Sequence, residues 1–389
     1  MDQLLLTTNA FSTFYPGNYQ YEIDRNNLLD TLEKMTETSD IISVSGETAT
    51  GKTVLLKQFC ERKETISIFI SQAKPISASL EITLIDLIKQ INFLTKGQVI
   101  TELPNSIPQL KIMYTRALSQ LSYYASSGNV VYLVIDGLYH AADTSDAIIE
   151  ALLQELIPFG KKNIKVIISK NDEPDQLSAF INAIPYRKKE LSMIGINSNE
   201  VGLIFKDLNL EEQTIEDIRL TFLGNPSDIV ELRNILEKED LDIDRIPQNI
   251  FEYLWKKQNY EDETFLRLFS LIVFSSKDLN LDELSSILDI SPAKVVKEIE
   301  GNPFMSIENG IPKIKNETYL KRLEKKLDSK KKETYDLLAT FILAKGSKND
   351  YWLLTKYYEG SEKYAELISI LDNSDYIDSV LSSNSMSSL

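Results

Sequence analysis

Cysteine and histidine are almost missing from this 389-residue chain, which has one of each, Cys60 and His140. An intrachain disulfide, a multi-cysteine zinc or iron–sulfur site and a zinc site with two histidines are therefore excluded. A Ser-His-Asp triad could be built only around His140. Glycine is also scarce, with 14 residues, so two glycines at a motif spacing carry weight.

Long apolar runs and an excess of positive charge are missing as well. The longest interior run, Val130–Ile135, is far shorter than the roughly 20 residues that span a bilayer. The start, Met1-Asp2-Gln3, is acidic and no secretory cleavage pattern follows, so we expect a cytoplasmic protein without a membrane partner. The net charge of −16 argues against nucleic acid as the main partner, although a local basic face would still be compatible with it.

The chain does have enough apolar residues, 43%, for a packed core, and its length predicts two to three domains. Up to about residue 195, short apolar runs alternate with segments of helical periodicity. This alternation predicts a parallel sheet with helices on both faces. The predicted strands are Asp40–Ser45, Ile66–Ile70, Val130–Ile135, Ile164–Ser169 and Lys189–Met193.

The first predicted strand runs directly into Gly46-Glu47-Thr48-Ala49-Thr50-Gly51-Lys52-Thr53, and a predicted helix continues from Val54. This is a full Walker A match in the strand–loop–helix context that phosphate binding requires. Glycines let backbone N–H groups turn toward a phosphate, and the helix start adds partial positive charge. We predict that residues 46–54 bind ATP or ADP, with Lys52 at the β- and γ-phosphates and the Thr53 hydroxyl on Mg²⁺.

A second acidic site ends the most apolar strand, at Asp136. A carboxylate there would lie beside the Walker A loop and hold Mg²⁺ through water. Asp136-Gly137 is also a good turn dipeptide, so the Walker B interpretation depends on the Walker A motif. Lys52 and Asp136 are the predicted catalytic residues, and Thr53 and Asp136 the predicted metal site.

The phrase Asp136-Gly137-Leu138-Tyr139-His140 resembles the extended Walker B of the signal-transduction ATPases with numerous domains, the STAND class, which is related to AAA+. Ile167-Ile168-Ser169-Lys170 stands in the place of the sensor-1 strand, and Gly224-Asn225-Pro226 lies in a helical region. The resemblance covers about Tyr21–Lys326. The Walker pair is specific to P-loop NTPases in general, and the order of the other elements indicates this class.

The resemblance implies three further nucleotide contacts, each with an alternative. Pro226 belongs to an element similar to Gly-x-Pro, whose proline touches adenine, but it also suits a helix N-terminus. Lys170 stands where an arginine usually reads the γ-phosphate, but it could be a solvated charge. Arg25 resembles the arginine near the base that precedes the first helix, but it could be a surface arginine in a capping turn.

Two departures from the class concern hydrolysis. Members that hydrolyse ATP usually carry an acidic residue two or three positions after the Walker B glycine, where this chain has Tyr139 and His140. The winged-helix histidine that senses the β-phosphate is also missing, because His140 is the only histidine. We therefore predict slow ATP hydrolysis.

The predicted architecture is an α/β P-loop NTPase domain followed by a helical lid, a winged-helix-like domain and a short C-terminal α-helical repeat. Helical periodicity replaces strands after about Asn197, and Leu281–Leu288, Ser291–Glu300 and a hairpin over Phe304–Ile314 suggest helix-turn-helix plus wing. The predicted boundaries are an irregular arm (1–20), the P-loop domain (21–195), the lid (196–258), the winged-helix-like domain (259–328), the helical segment (329–381) and a disordered tail (382–389).

The leading functional hypothesis is a nucleotide-controlled switch that changes conformation or self-associates when it senses an unidentified protein trigger or effector. The resemblance implies roles such as antiviral defence, signalling or transcription control. Two alternatives remain open. One is an origin-recognition-like AAA+ ATPase that binds DNA through its winged helix, against which the acidic residues of Ser291–Glu300 count. The other is a non-hydrolysing scaffold with a structural nucleotide.

Overall fold

The computed structural model describes residues 7–71, 75–141, 150–172, 176–238, 247–258, 262–308, 310–315, 317–345 and 348–382. These residues form two compact units, divided between Gln248 and Asn249. The finer domain boundaries within the two units stay predictions.

A five-stranded parallel sheet forms the centre of the first unit, as predicted. Its strands are β1 (Ile41–Ser45), β2 (Thr65–Phe69), β3 (Val131–Asp136), β4 (Ile164–Lys170) and β5 (Lys188–Ser192). Their order across the sheet is β2-β3-β4-β1-β5, and every neighbouring pair is parallel. All five residues of β1 and of β2 are buried, which explains why these strands are apolar runs rather than alternating patterns.

Helices cover both faces of this sheet and continue beyond it. Those described in the first unit are α1 (Asn26–Thr38), α2 (Lys52–Arg62), α3 (Leu80–Lys96), α4 (Ile107–Ser126), α5 (Leu138–Ala141), α6 (Gln176–Ala183), α7 (Ser198–Ile204), α8 (Glu212–Thr221) and α9 (Pro226–Lys238). Leu84 and Leu121, of α3 and α4, belong to one apolar core, and Leu32 and Phe59, of α1 and α2, belong to another. The doubly covered α/β fold is thereby confirmed.

The N-terminal arm lies on the P-loop unit. After a 3₁₀ turn at Thr8–Phe11, the backbone N–H and the hydroxyl of Thr13 both donate to the carboxylate of Asp86 on α3, each at 2.7 Å. The Tyr15 hydroxyl donates to the backbone oxygen of Lys57 on α2 at 3.2 Å. The irregular arm therefore follows two helices of the domain that comes after it in the chain.

The second unit is mainly helical. It has one antiparallel hairpin among its described residues, β6 (Met305–Glu308) with β7 (Ile311–Ile314). Its described α-helices are α10 (Ile250–Lys256), α11 (Glu263–Phe274), α12 (Leu281–Leu288), α13 (Pro292–Ile299), α14 (Glu317–Lys326), α15 (Lys331–Lys345), α16 (Leu354–Gly360), α17 (Tyr364–Leu371) and α18 (Ser374–Ser382). The order α12, α13, hairpin, α14 follows the predicted one, and its assignment as a winged helix stays a prediction.

Several predicted helices have different limits, and capping explains one of the differences. The helical periodicity of Phe251–Phe274 predicts one helix, but the structure has two, because the Asp262 side chain accepts the backbone N–H groups of Thr264 and Phe265 and starts α11. The helical spacing of Asn197–Leu208 predicts a helix there. The structure has the shorter α7, which starts where predicted, at an Asn197–Glu200 capping box, and ends at Ile204.

Three other predictions fall partly or wholly on undescribed positions. The helical spacing of Ala147–Leu156 predicts a helix, and the described part of this segment contains a π-helical turn at Leu152–Leu156. Residues 383–389 of the predicted tail and the first six residues of the arm lie outside the described residues. Within the described part of the chain, none of the helices combines the length and the apolar character needed to cross a membrane.

Candidate functional site

The loop between β1 and α2 has an internal hydrogen bond, and its backbone conformation requires glycine at both ends. Gly46 has φ +154°, and a Cβ there would lie 2.8 Å from the Cβ of Met193, which follows β5. Gly51 has φ +92° and caps the start of α2. The Thr50 hydroxyl donates to the backbone oxygen of Glu47 at 2.8 Å. The sequence therefore folds into a narrow loop around the start of a helix, as phosphate binding requires.

Lys52, the first residue of α2, turns its side chain back into this loop. Its Nζ donates to the backbone oxygens of Gly46 and Glu47, at 2.6 and 2.9 Å, and to Oδ1 of Asn171 at 3.4 Å. It also lies 5.7 Å from the centre of the Tyr139 ring. The loop thus encloses a buried ammonium group beside the helix start.

Asp136 and Thr53 meet directly. The Thr53 hydroxyl donates to Oδ2 of Asp136 at 2.6 Å. The other carboxylate oxygen, Oδ1, is buried and has no hydrogen-bond partner among the described residues. A hydroxyl and a carboxylate with a spare oxygen are the donor set that Mg²⁺ prefers, so the residues present fit this metal.

Gly137 sets the path of the chain after Asp136. Its φ is +72°, and a Cβ there would lie 1.9 Å from the backbone oxygen of Ile70. Its backbone N–H donates to the Ser169 hydroxyl at 2.9 Å. The turn leads into the short α5, where the rings of Tyr139 and of the buried His140 are 4.1 Å apart. Glycine at this position therefore places Tyr139 beside the loop.

Lys170 and Asn171, at the end of β4, have different partners. Lys170 Nζ is 2.8 Å from Glu190 Oε2 on β5, so it forms an ion pair on the sheet. Asn171 is the residue that reaches Lys52. Asn171 is absent from the predicted site, although the two-residue period of strands groups it with Ser169 and not with Lys170. The predicted γ-phosphate contact of Lys170 stays a prediction.

Arg25 is buried immediately before α1, and its guanidinium holds the segment that leads out of β5. It donates to the backbone oxygen of Ile194 at 3.2 Å from two nitrogens, and its Nε forms an ion pair with Glu200 of α7 at 3.2 Å. Arg25 therefore connects the start of α1 to α7, the first described helix after β5. Its predicted position near the base is untested by these contacts.

Pro226 is the first residue of α9, which is the helix-start alternative left open by its motif. The Asn225 side chain accepts the backbone N–H groups of Ser227 and Asp228, at 3.0 and 3.3 Å. Gly224 and Gly195 approach so closely that a Cβ on Gly195 would lie 2.5 Å from the backbone oxygen of Leu223. This contact seats α9 against the segment after β5, and the adenine contact stays a prediction.

Tyr19 and Glu22, at the junction of the arm and the P-loop domain, add a tyrosine and a negative charge beside α2. Glu22 forms an ion pair with the buried Lys57 of α2 at 2.8 Å. Burial raises the pKa of Glu22, but hydrogen bonds from Lys57, Gln58 and the Tyr19 backbone outweigh it and leave the pKa lowered. Burial, with smaller contributions from Asp136 and Glu22, raises the pKa of Tyr19 to about 12, so this tyrosine stays protonated.

No family model and no curated protein matches the chain. Among solved structures it is similar to a STAND protein with a tetratricopeptide repeat sensor from Pyrococcus horikoshii, with a TM-score of 0.49 and 13% identity, covering 95% of this chain and 52% of that one. It is similar to a Walker-type ATPase of Pyrococcus abyssi, with a TM-score of 0.45 and 15% identity, covering 81% and 99%. A third is Drosophila ORC bound to DNA, with a TM-score of 0.37 and 14% identity, covering 77% and 94%.

The chain thus spans about half the length of the STAND protein it matches. The fold rests on the parallel sheet, the loop of residues 46–53 and the contact between Thr53 and Asp136. The chain has the fold of a P-loop NTPase domain, and its motifs and element order resemble those of the STAND ATPases.

Proposed function

We propose that this chain is an ATP-controlled switch. It binds ATP or ADP with Mg²⁺ at residues 46–53, hydrolyses ATP slowly, and changes conformation or self-associates when it senses a protein trigger. The observation that carries the proposal is the Thr53–Asp136 contact of 2.6 Å, beside a lysine held inside the loop and with one buried carboxylate oxygen left unpaired among the described residues.

Each residue of this site would have a separate role in nucleotide binding. Lys52 would exchange its bonds to the backbone oxygens of Gly46 and Glu47 for charged bonds to the β- and γ-phosphates, which are stronger. Thr53 and Asp136 would hold Mg²⁺. When bound, the metal would neutralise charge on the phosphate oxygens. Asn171 would keep Lys52 oriented from the end of β4.

The contacts around the base and the γ-phosphate remain part of the proposal. Pro226 would contact the adenine from the start of α9. Arg25 would act near the base indirectly. Its guanidinium donates to the backbone oxygen of Ile194 and so holds the segment after β5 in place. Lys170 would have to leave its ion pair with Glu190 to read the γ-phosphate. Asn171 would not have to break an ion pair, because its side chain already accepts from Lys52.

Slow hydrolysis follows from the residues after Gly137. Attack on the γ-phosphate needs a group that positions or deprotonates water. Tyr139 lies next to Lys52, and a tyrosine hydroxyl can orient water but rarely removes a proton from it. A slow reaction would keep the ATP state in place after triggering, which suits a switch more than a metabolic enzyme.

The switch itself would use the γ-phosphate. A ligand shifts a conformational equilibrium only by its difference in affinity for the two states. ATP and ADP differ at the γ-phosphate, next to Lys52, Asn171 and Tyr139, so these residues would carry that difference to the lid. Such a switch needs two kinds of partner, a protein trigger that it senses and a second copy of the chain with which it self-associates.

Calorimetric titration of ATP, with and without Mg²⁺, tests the binding step. We expect wild-type binding and at least several-fold weaker binding by Lys52→Ala, because no other flexible cation lies inside the loop among the described residues. Lys63→Ala is the matched control, since Lys63 lies just past the other end of α2 and pairs with Glu33 at 2.7 Å. A folded wild type without ATP binding, or equal affinities in all three proteins, would refute the proposal.

A further inference from the structure

Arg233 of α9 carries a buried guanidinium group. Its side chain is 2% exposed. Its Nη2 donates to Asp207 and is 3.0 Å from Oε1 of Glu237. Its Nε and Nη1 are also buried and have no hydrogen-bond acceptor among the described residues. Unpaired buried donors on a charged group are unfavourable, so this arrangement needs a reason.

Tyr21 lies against this arginine and has an unfavourable backbone. The Arg233 Cζ is 5.4 Å from the centre of the Tyr21 ring, and the Tyr21 hydroxyl donates to Glu237. Tyr21 has φ +56°, in the left-handed region that a bulky residue adopts only when its surroundings impose it. Two unfavourable features therefore meet at one contact.

The contact joins the lid helix to the P-loop helix. Directly after Tyr21, Glu22 accepts from Lys57 at 2.8 Å and from Gln58 at 3.3 Å, both on α2. Lys57 is one turn after Thr53 on the same face of α2. The segment at Tyr21 thus reaches α2 with one residue and α9 with the neighbouring one.

We propose that Tyr21 and Arg233 form a strained latch, which holds the lid helix α9 to the N-terminal segment and is built to be released. The left-handed tyrosine and the unpaired guanidinium donors both raise the free energy of the latched state, so a small input is enough to open it. An anion site is disfavoured, because two carboxylates, Asp207 and Glu237, already surround the one cation. The purpose of the release, control of the lid by nucleotide, rests on the proposed function.

Hydrogen exchange and thermal melting of the nucleotide-free protein test the latch. Arg233→Met keeps an unbranched apolar stem and removes the unpaired donors. We expect amides of residues 19–25 to exchange at least tenfold faster, while Tm rises by about 2 °C because the buried charge is gone. Tyr21→Phe keeps the ring and loses the bond to Glu237, so a smaller acceleration, about threefold, is expected.

Arg219→Met is the matched control, because Arg219 is a lid arginine that pairs with Glu216 at 2.5 Å on α8. It should leave exchange at residues 19–25 unchanged. Unchanged exchange there in Arg233→Met overturns the latch. A lowered Tm, even with faster exchange, also overturns it, because it would show that the contact is stabilising and not strained. If Arg233→Met does not fold, then Arg233 is needed for folding and the strained latch is refuted unless Tyr21→Phe folds and accelerates exchange.

A separate readout connects the latch to nucleotide. The rate at which ATP dissociates should increase several-fold in Arg233→Met and stay at the wild-type value in Arg219→Met. Absence of ATP binding by the wild type would refute the proposed function and leave the exchange result to decide the latch. Wild-type binding with equal dissociation rates in all variants would refute the role of the latch in nucleotide release.

Discussion

Asp136 and Arg233 are both buried charged residues of the first unit, and each has polar atoms without a hydrogen-bond partner among the described residues. Their surroundings differ. Asp136 ends a strand beside glycine turns at Gly51 and Gly137, where the backbone leaves room or permits a close approach. Arg233 lies against the ring of Tyr21, whose own backbone is unfavourable.

The difference distinguishes two uses of an unsatisfied buried group. An open oxygen next to a phosphate-binding loop is preorganised for a ligand that adds the missing partner. Unused donors in a contact between two protein segments raise the free energy of that contact instead. Asp136 therefore indicates binding, and Arg233 indicates a contact that can be opened.

The largest effect on ATP affinity is expected from a substitution of Asp136, the carboxylate that would hold Mg²⁺. Asp136→Asn keeps an oxygen for the Thr53 hydroxyl but removes the negative charge that would hold Mg²⁺. We expect ATP affinity in Mg²⁺ to fall about tenfold or more, since charge-assisted contacts are the strong ones. Titrations in Mg²⁺ and in chelator measure this, and the two proteins should differ little in chelator. An equal loss under both conditions would contradict a metal role for Asp136.

A change of about tenfold in the opposite direction is expected at Tyr139. Tyr139→Asp supplies a carboxylate where hydrolysing relatives carry one, and a general base contributes typically 10²–10⁴-fold. We expect ATP turnover to rise about tenfold or more with ATP affinity retained. Steady-state phosphate release measures it. Wild-type turnover above about 1 s⁻¹, within the usual range for enzymes, would show that another residue already supplies the base.

In the absence of nucleotide, neutral substitutions of Asp136 and of Arg233 should both stabilise the folded protein. Asp136→Asn replaces a buried carboxylate that has an unpaired oxygen with a neutral amide, so the free energy of unfolding should rise by about 1 kcal/mol. Urea unfolding of the nucleotide-free protein measures it. Arg233→Met should be stabilising too, but only Asp136→Asn should lose the Mg²⁺ dependence of ATP binding. A destabilised Asp136→Asn would mean that the carboxylate is satisfied in the ligand-free protein.

Much of the fold could be predicted from the sequence, because its signals are local. The apolar runs at β1 and β3 and the glycine spacing of residues 46–53 each lie within a few residues, and parallel strands bring their carboxyl ends to one edge. The contact between Thr53 and Asp136 follows from that rule. Helix limits were less predictable, since a single capping residue, Asp262, separates two segments of continuous helical periodicity.

The missed residues depend on contacts that no local pattern shows. Asn171 follows β4, and only strand alternation separates it from Lys170, the residue at the position that the resemblance indicates. Arg233 lies among buried apolar residues of α9, and its guanidinium lies against the ring of Tyr21, which is far away along the chain. Sequence periodicity does not show such a contact, because it reports one element at a time.

A smaller effect on stability is expected when the pH is lowered and Glu283, in the second unit, becomes protonated. Burial raises the pKa of Glu283, but hydrogen bonds from Lys345, the Asn280 backbone and Lys277 outweigh it and leave the pKa lowered. A carboxyl with a lowered folded-state pKa stabilises above its unfolded pKa, about 4.3, and loses this contribution as pH falls through the folded-state pKa. Unlike Asp136 and Arg233, Glu283 has partners for both of its carboxylate oxygens.

Glu283→Gln tests this contribution. The variant should lose less than about 1 kcal/mol at pH 7, because the network is partly exposed, and the difference from wild type should shrink below pH 4. Urea unfolding at pH 7 and at pH 3.5 measures it, with Glu362→Gln, at an exposed ion pair with Lys332, as the control. A difference that grows toward low pH would contradict the assigned direction of the pKa shift.

No effect on DNA is expected from the cations of α13. Lys294 and Lys297 are exposed, but Glu298 and Glu300 lie beside them along the chain. Other lysines of this unit are paired, as Lys313 is with Asp278 at 3.0 Å. Binding to phosphate backbones depends on unpaired cations that release counterions, so an acidic unit with paired lysines has little to offer. Lys294→Glu combined with Lys297→Glu should therefore leave duplex binding unchanged and weak in anisotropy titrations at two salt concentrations. Sub-micromolar wild-type affinity that falls steeply with salt and disappears in the variant would favour the DNA-binding alternative instead.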